Sequence, residues 1–327
     1  MNKSYFLLFA NCIPVKGAKK SIICDLQRNS FLNIPNELYK LLTSNDYLDL
    51  AEVNEEKKES IDYLINHEYG FLTNEPELFP RLSNNTNQEV PNLLIEFLID
   101  FDEKTKYDFH QFSKEMERLR VTSIEFRFFH ILSLEEVGMI NNIFLNPNIR
   151  NCSLSLQFNN ETEDKEKILA MLNKYNSITQ VLIFNAPYDE LIKYGQRTLI
   201  YTKSILRNEK DCGRVSPFYF ESNMTQFKNR AFNTCLKRKL SVNRFGEVKI
   251  CPAMDFGFGK VNSVNFDKLI NNKKVQKYQN INKDQISVCK DCEFRYICTD
   301  CRAFTEDDKL YSKPKKCNYD PYTATWL

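Results

Sequence analysis

A chain of 327 residues with a formal net charge of +2, 42% hydrophobic and 27% charged, has the balance of a folded globular protein and room for two or three domains. This composition excludes a disordered chain, and no stretch approaches the roughly 18 consecutive apolar residues of a membrane-spanning helix. The small net charge hides two opposed regions: residues 44–103 carry 15 acidic and 3 basic side chains, and residues 193–317 carry 26 basic and 13 acidic ones.

The first apolar stretch, residues 5–10 in MNKSYFLLFANC, is shorter than the core of an export signal and polar residues follow it at once. It reads as a first strand, and the protein as cytoplasmic with no membrane partner. Residues 20–26 and 30–34 read as further short strands. Pro35-Asn36 then opens a helix over 37–42, and Asn54 starts another that runs through His67. Strands followed by small helices predict a winged-helix-like module over residues 1–81. The polar stretch LSNNTNQEVPN, residues 82–92, reads as a linker.

From 92 to 205 the pattern alternates. Apolar strands are predicted over 93–100, 123–129, 152–158 and 178–185, with amphipathic helices over 109–119, 134–144 and 164–175. This βαβαβαβ order predicts an α/β region with a parallel sheet and right-handed crossovers, either open or a partial barrel. Asp100, Asp102 and Glu103 follow the first of these strands, where α/β sheets place their active sites, although a solvated loop is the plainer reading. His67, His110 and His130 sit in no nucleophile motif, and no phosphate-binding loop supports kinase or ligase chemistry within the chain.

The last region, 210–327, is loop-rich and holds Cys212, Cys235, Cys251, Cys289, Cys292, Cys298, Cys301 and Cys317. Disulfides need an oxidising compartment, so clustered cysteines in a cytoplasmic chain point to metal. LSVNRFGEVKIC reads as a hairpin turned at Gly246, which would draw Cys235 and Cys251 towards one point; Pro252 then ends the strand. Structural zinc sites usually set two cysteine pairs 12 or more residues apart, whereas five residues separate Cys292 from Cys298. Eight sulfurs match two four-iron clusters, and two zinc ions remain the alternative. The basic excess suits an anionic thiolate cluster. No recognition helix or stacking motif accompanies it, so no nucleic-acid partner is expected.

Three segments, CLKRKLSVNRFGEVKICPAM, VCKDCEFRYICTDCRAF and KPKKCNYDPYTATW, resemble the SPASM domain of radical-SAM peptide-modifying enzymes. More narrowly they are similar to the grasp-with-spasm peptide maturases. The SPASM resemblance covers about 212 to the C-terminus, with seven cysteines in matching order. It implies two [4Fe-4S] clusters, one held by Cys289, Cys292, Cys298 and Cys317, the other by Cys235, Cys251 and Cys301. The family's usual fourth ligand lies a few residues before the Cys235 position, where this chain has no cysteine; Cys212 is the nearest thiol upstream. The same resemblance implies a precursor peptide, an ATP-grasp peptide ligase and an electron-donor protein as partners, and makes residues 92–205 a radical-SAM-like partial barrel.

The radical-SAM motif CxxxCxxC is missing. The loop where it belongs reads FDEKTKYDF, and Cys12, Cys24 and Cys152 do not have that spacing. This argues against ordinary S-adenosylmethionine chemistry. What the resemblance then implies is an iron–sulfur protein in the maturation of a ribosomally synthesised peptide. The alternatives are a non-enzymatic adaptor with structural clusters and a zinc scaffold. Residues 1–81 would capture a leader peptide as an added strand, and the acidic charge of 44–103 would suit a leader with basic residues. Trp326 would dock against the cysteine-rich region.

Overall fold

Two compact units partition the chain in the computed structural model, which describes residues 3–82, 93–213, 215–217 and 220–327. The first takes Met1–Glu89, Arg214–Lys237 and Asn280–Leu327; the second takes Val90–Gly213 and Arg238–Gln279. The cysteine-rich region 210–327 is therefore shared between the two. Apart from Leu82, the linker expected over 82–92 lies outside the described residues. Among the described residues no helix is long and apolar enough to cross a membrane.

The first unit is built on two three-stranded antiparallel sheets. In one, β3 (Ser21–Asp25) lies between β2 (Cys12–Lys16) and β4 (Ser30–Ile34). Every residue of SIICD in β3 is buried, as a central strand covered on both faces requires. In the other, β1 (Tyr5–Leu8) lies between β5 (Leu48–Asp49) and β6 (Gly70–Thr73). Two helices pack on them. Helix α1 (Asn36–Ser44) follows Pro35, whose fixed φ suits an entry into a helix. Helix α2 (Glu55–Asn66) is capped by Asn54, whose side chain accepts from the Lys57 amide. Phe6, Ile23, Ile34, Leu42, Ile61 and Leu64 form one core. A second core joins Val15, Ile22 and Cys24 of the sheet to Phe294, Ile297, Cys298 and Tyr319, with Cys292 and Cys317 packed against it.

The second unit carries an eight-stranded sheet. Its central strands are β7 (Glu96–Phe101), β8 (Ser123–Phe128), β9 (Asn151–Gln157) and β10 (Ile178–Phe184), all parallel. They are extended at one side by β12 (Arg197–Tyr201) and at the other by β13 (Lys239–Val242), both also parallel to their neighbours. The edges are antiparallel: β11 (Glu190–Tyr194) on β12, and β14 (Val248–Lys249) on β13. The sheet is thus an open one among the described residues, with alternating helices α3 (Phe109–Arg118), α4 (Leu134–Phe144) and α6 (Lys165–Lys174), and a short α5 (Asn160–Glu163) before α6. Each long helix starts at a side-chain cap, Asp108, Ser133 with Glu136 in a reciprocal box, and Asp164. Phe97, Phe112, Phe126 and Phe144 interlock edge-to-face or tilted beneath the sheet.

Asp100 does not lie in a solvated loop. It sits within β7, fully buried, and its carboxylate accepts from Arg127 Nε at 2.7 Å and Nη2 at 2.9 Å on the adjacent strand. Asp102, two residues later, closes a tight loop by accepting from the Lys104 amide and Thr105, and it pairs with Arg244 at 3.3 Å.

Candidate metal centre

Cys289, Cys292, Cys298 and Cys317 all belong to the first unit. Two consecutive 3-10 turns, Cys289–Asp291 and Glu293–Tyr296, wind the CxxC segment so that the Cys292 amide bonds the Cys289 carbonyl. Val288 enters the first turn at φ 67°, a left-handed conformation that costs a β-branched residue and marks a chain held by its surroundings. The Cys298 amide bonds the Phe294 carbonyl, and the Cys317 amide bonds the Pro314 carbonyl. Each of the four thiols lies within electrostatic reach of at least two of the others. Burial pushes Cys289 and Cys292 up and carries Cys298 to about 11.

A buried cation faces these sulfurs. Lys283, 4% exposed, places Nζ 3.8 Å from Cys298 Sγ and 3.4 Å from Asp300 Oδ1. Burial disfavours its charge, but Cys298, Asp300 and Cys289 outweigh that and hold the ammonium well above the usual lysine range. Asp300 is shared: Arg302 Nε lies 2.8 Å from its Oδ2, and Asn233 Nδ2 donates to that oxygen at 2.6 Å. Glu293, next to Cys292 in the chain, is buried and accepts from the Tyr319 hydroxyl. Tyr319 packs on Phe294 and on Trp326, with ring centroids 5.0 and 4.9 Å apart. Trp326 therefore docks beside the core that contains Cys292, Cys298 and Cys317.

The remaining predicted ligands divide between the units. Cys212 and Cys251 lie in the second, Cys235 and Cys301 in the first. Cys212 hydrogen-bonds Cys251, which with the Arg127 guanidinium outweighs burial and lowers its thiol to about 6. Its Sγ also lies 2.8 Å from the Glu209 carbonyl. By contrast Cys12, Cys24 and Cys152 are buried in apolar cores, each pushed up to about 12. Cys152 packs beneath the sheet against Asn141, its Sγ 3.5 Å from Oδ1.

Among the described residues no three Cys, His, Asp or Glu side chains stand close enough together to hold a single metal ion. One zinc requires each sulfur at about 2.3 Å from one point, whereas a multi-iron cluster is bound from the outside by thiolates spread round a larger body. The first unit's donors fit such a cluster in kind: four thiols, a buried cation and an aromatic wall. Sequence patterning missed Lys283, Asp300, Arg302 and Asn233, which are polar residues of ordinary loops. The one available signal was that Asp300 and Arg302 flank Cys301 directly.

Residues 234–293 match the SPASM family, an iron–sulfur cluster-binding domain. This segment is SPASM-like. The matched SPASM-like stretch contains Cys235, Cys251, Cys289 and Cys292 and ends before Cys298, Cys301 and Cys317. It indicates iron–sulfur cluster binding. No curated protein matches the chain significantly. Among solved structures, the crystal structure of Streptococcus suis SuiB bound to precursor peptide SuiA overlays with a TM-score of 0.34 and 9% identity, covering 95% of this chain and 99% of that one. An overlay this loose assigns no residue roles.

Proposed function

We propose that the protein is an iron–sulfur protein of ribosomal-peptide maturation. One [4Fe-4S] cluster would be held by Cys289, Cys292, Cys298 and Cys317. What supports this reading is that Cys289, Cys292, Cys298 and Cys317 share one unit, with the buried Lys283 ammonium 3.8 Å from Cys298 Sγ, in a chain whose SPASM-like segment contains Cys289 and Cys292. The resemblance implies that Cys212, Cys235, Cys251 and Cys301 would hold a second cluster; the hydrogen bond between Cys212 and Cys251, both in the second unit, is in keeping with that. Thiolates would be the ligands, so loading a cluster would release protons from these cysteines. A cluster would supply one-electron redox capacity; the protein's share would be to hold the thiolates, cover them with Phe294 and Tyr319, and supply compensating charge.

The substrate of this reading is a precursor peptide, with an ATP-grasp ligase and an electron donor as partners. Its support is the grasp-with-spasm resemblance of the cysteine segments. The leader would add as a strand in the N-terminal unit, where β4 and β6 each end a three-stranded sheet. A second reading, an adaptor whose clusters are structural, is favoured by the segment after β7. There Asp102, Lys104 and Thr105 close a tight turn with no thiol for a three-cysteine cluster. The test that separates the two uses anaerobically purified protein, precursor peptide and a low-potential reductant. A mass change in the precursor that depends on reduction supports the maturase. Tight binding with unchanged mass supports the adaptor, and absence of both binding and mass change defeats peptide maturation.

A further inference from the structure

Building on the cluster reading, we propose that Lys283 sets the reduction potential of the cluster held by Cys298, acting as a positioning residue whose buried cation favours the reduced state. The geometry is specific. Lys283 Nζ donates towards Cys298 Sγ at 3.8 Å from a side chain only 5% exposed, so water does not screen the contact. The carboxylate that pairs with it, Asp300 at 3.4 Å, is also engaged by Arg302 at 2.8 Å and by Asn233. One carboxylate thus serves two cations, both almost wholly withdrawn from solvent. The surplus positive charge points at a ligand sulfur.

The electrostatic consequence follows from charge alone. A four-iron cluster with four thiolates is an anion, and one-electron reduction adds a further negative charge with no bond made or broken. A fixed cation a few ångströms away stabilises the reduced form more than the oxidised one. At an effective dielectric of about 20, a unit charge at contact distance changes a one-electron equilibrium by more than about tenfold. A lysine whose charge Asp300 cancels in full would leave that equilibrium where it is.

The test is an anaerobic redox titration of the full chain, monitored by electron paramagnetic resonance, with dithionite as the one-electron donor. Lys283→Gln is expected to keep wild-type iron while one of the two couples moves to lower potential by about tenfold in the equilibrium, or about 59 mV, the other couple staying put. Lys283→Arg keeps the cation and restores the wild-type value. Iron-loaded Lys283→Gln with both couples unchanged overturns the proposal. Should Lys283→Gln fail to load, wild-type protein grown with 15N-lysine decides instead. A 15N coupling to the reduced cluster in electron–nuclear double resonance supports the proposal, and its absence overturns it. A wild-type protein without iron removes the cluster reading itself, an outcome distinct from an iron-loaded protein with an indifferent Lys283.

Discussion

Asp25 keeps its charge although burial opposes it. The backbone amides of Arg28 and Gln27, each 2.9 Å from Oδ1, and the Arg28 guanidinium outweigh desolvation and hold the carboxyl below its ordinary value of 3.8. Arg28 in turn donates to the carbonyls of His67 and Glu68, tying the β3–β4 turn to the end of α2. A depressed folded pKa contributes stability that is fully present above the unfolded value and is lost as pH falls through the folded one. Acid unfolding of the N-terminal unit should therefore steepen below pH 3.8, and Asp25→Asn should flatten that limb. An identical acid profile for the variant would contradict the role. Among the cysteines, Cys298→Ser should lose one cluster's iron, about four atoms per chain. Cys152→Ser, on a thiol buried far from any predicted ligand in sequence, should keep all of it; the assay is iron per chain after anaerobic purification. The cysteine pattern of the SPASM-like segment was legible because spacing is a local property. Lys283 and Asp300 were not, since only the folded chain brings a lysine before the CxxC pair to a carboxylate that follows it. Asp100 was misread for a related reason: a carboxylate at a strand end looks solvated until its partner, Arg127, is seen on the neighbouring strand.

At the scale of elements, the hairpin of β13 and β14 shows what sequence reads well. Gly246 was expected to turn it, and it does so at φ 72°, its amide bonded to the Asn243 carbonyl at 2.8 Å. A Cβ there would meet Tyr107 Cδ1 at 3.0 Å as well as the left-handed backbone penalty. Gly246→Ala should cost about 1–2 kcal/mol, the price of a left-handed non-glycine residue, read as a lower denaturation midpoint. An unchanged midpoint would show that the turn relaxes freely. Helices were placed accurately where a cap and a period agreed, as over Leu134–Phe144 with its Ser133–Glu136 box. The strand Cys12–Lys16 went unread because Pro14 demotes it by pattern, yet it lies at the end of its sheet, where a missing donor is tolerated. The hairpin of β11 and β12 was missed because Glu190–Tyr194 is largely exposed and carries little apolar alternation; Gly195, at φ 61°, marks its turn.

Over the whole molecule, the limit of sequence reading is chain continuity. Patterning divides a chain into consecutive blocks, whereas the compact units here are assembled from separated segments, with Arg238–Gln279 joining the α/β sheet through the pairing of β13 with β7. That pairing joins residues more than a hundred positions apart, such as Leu240 with Phe97, and no local period announces it. Six of the eight cysteines lie in the first unit, among them the four proposed for one cluster, and Cys212 and Cys251 lie in the second. The central claim, that these sulfurs hold iron–sulfur clusters, is tested most directly by metal analysis with Mössbauer spectroscopy on 57Fe-enriched protein never exposed to air. The account predicts about eight irons per chain with the signature of two four-iron clusters. Stoichiometric zinc, or no bound metal, would contradict it.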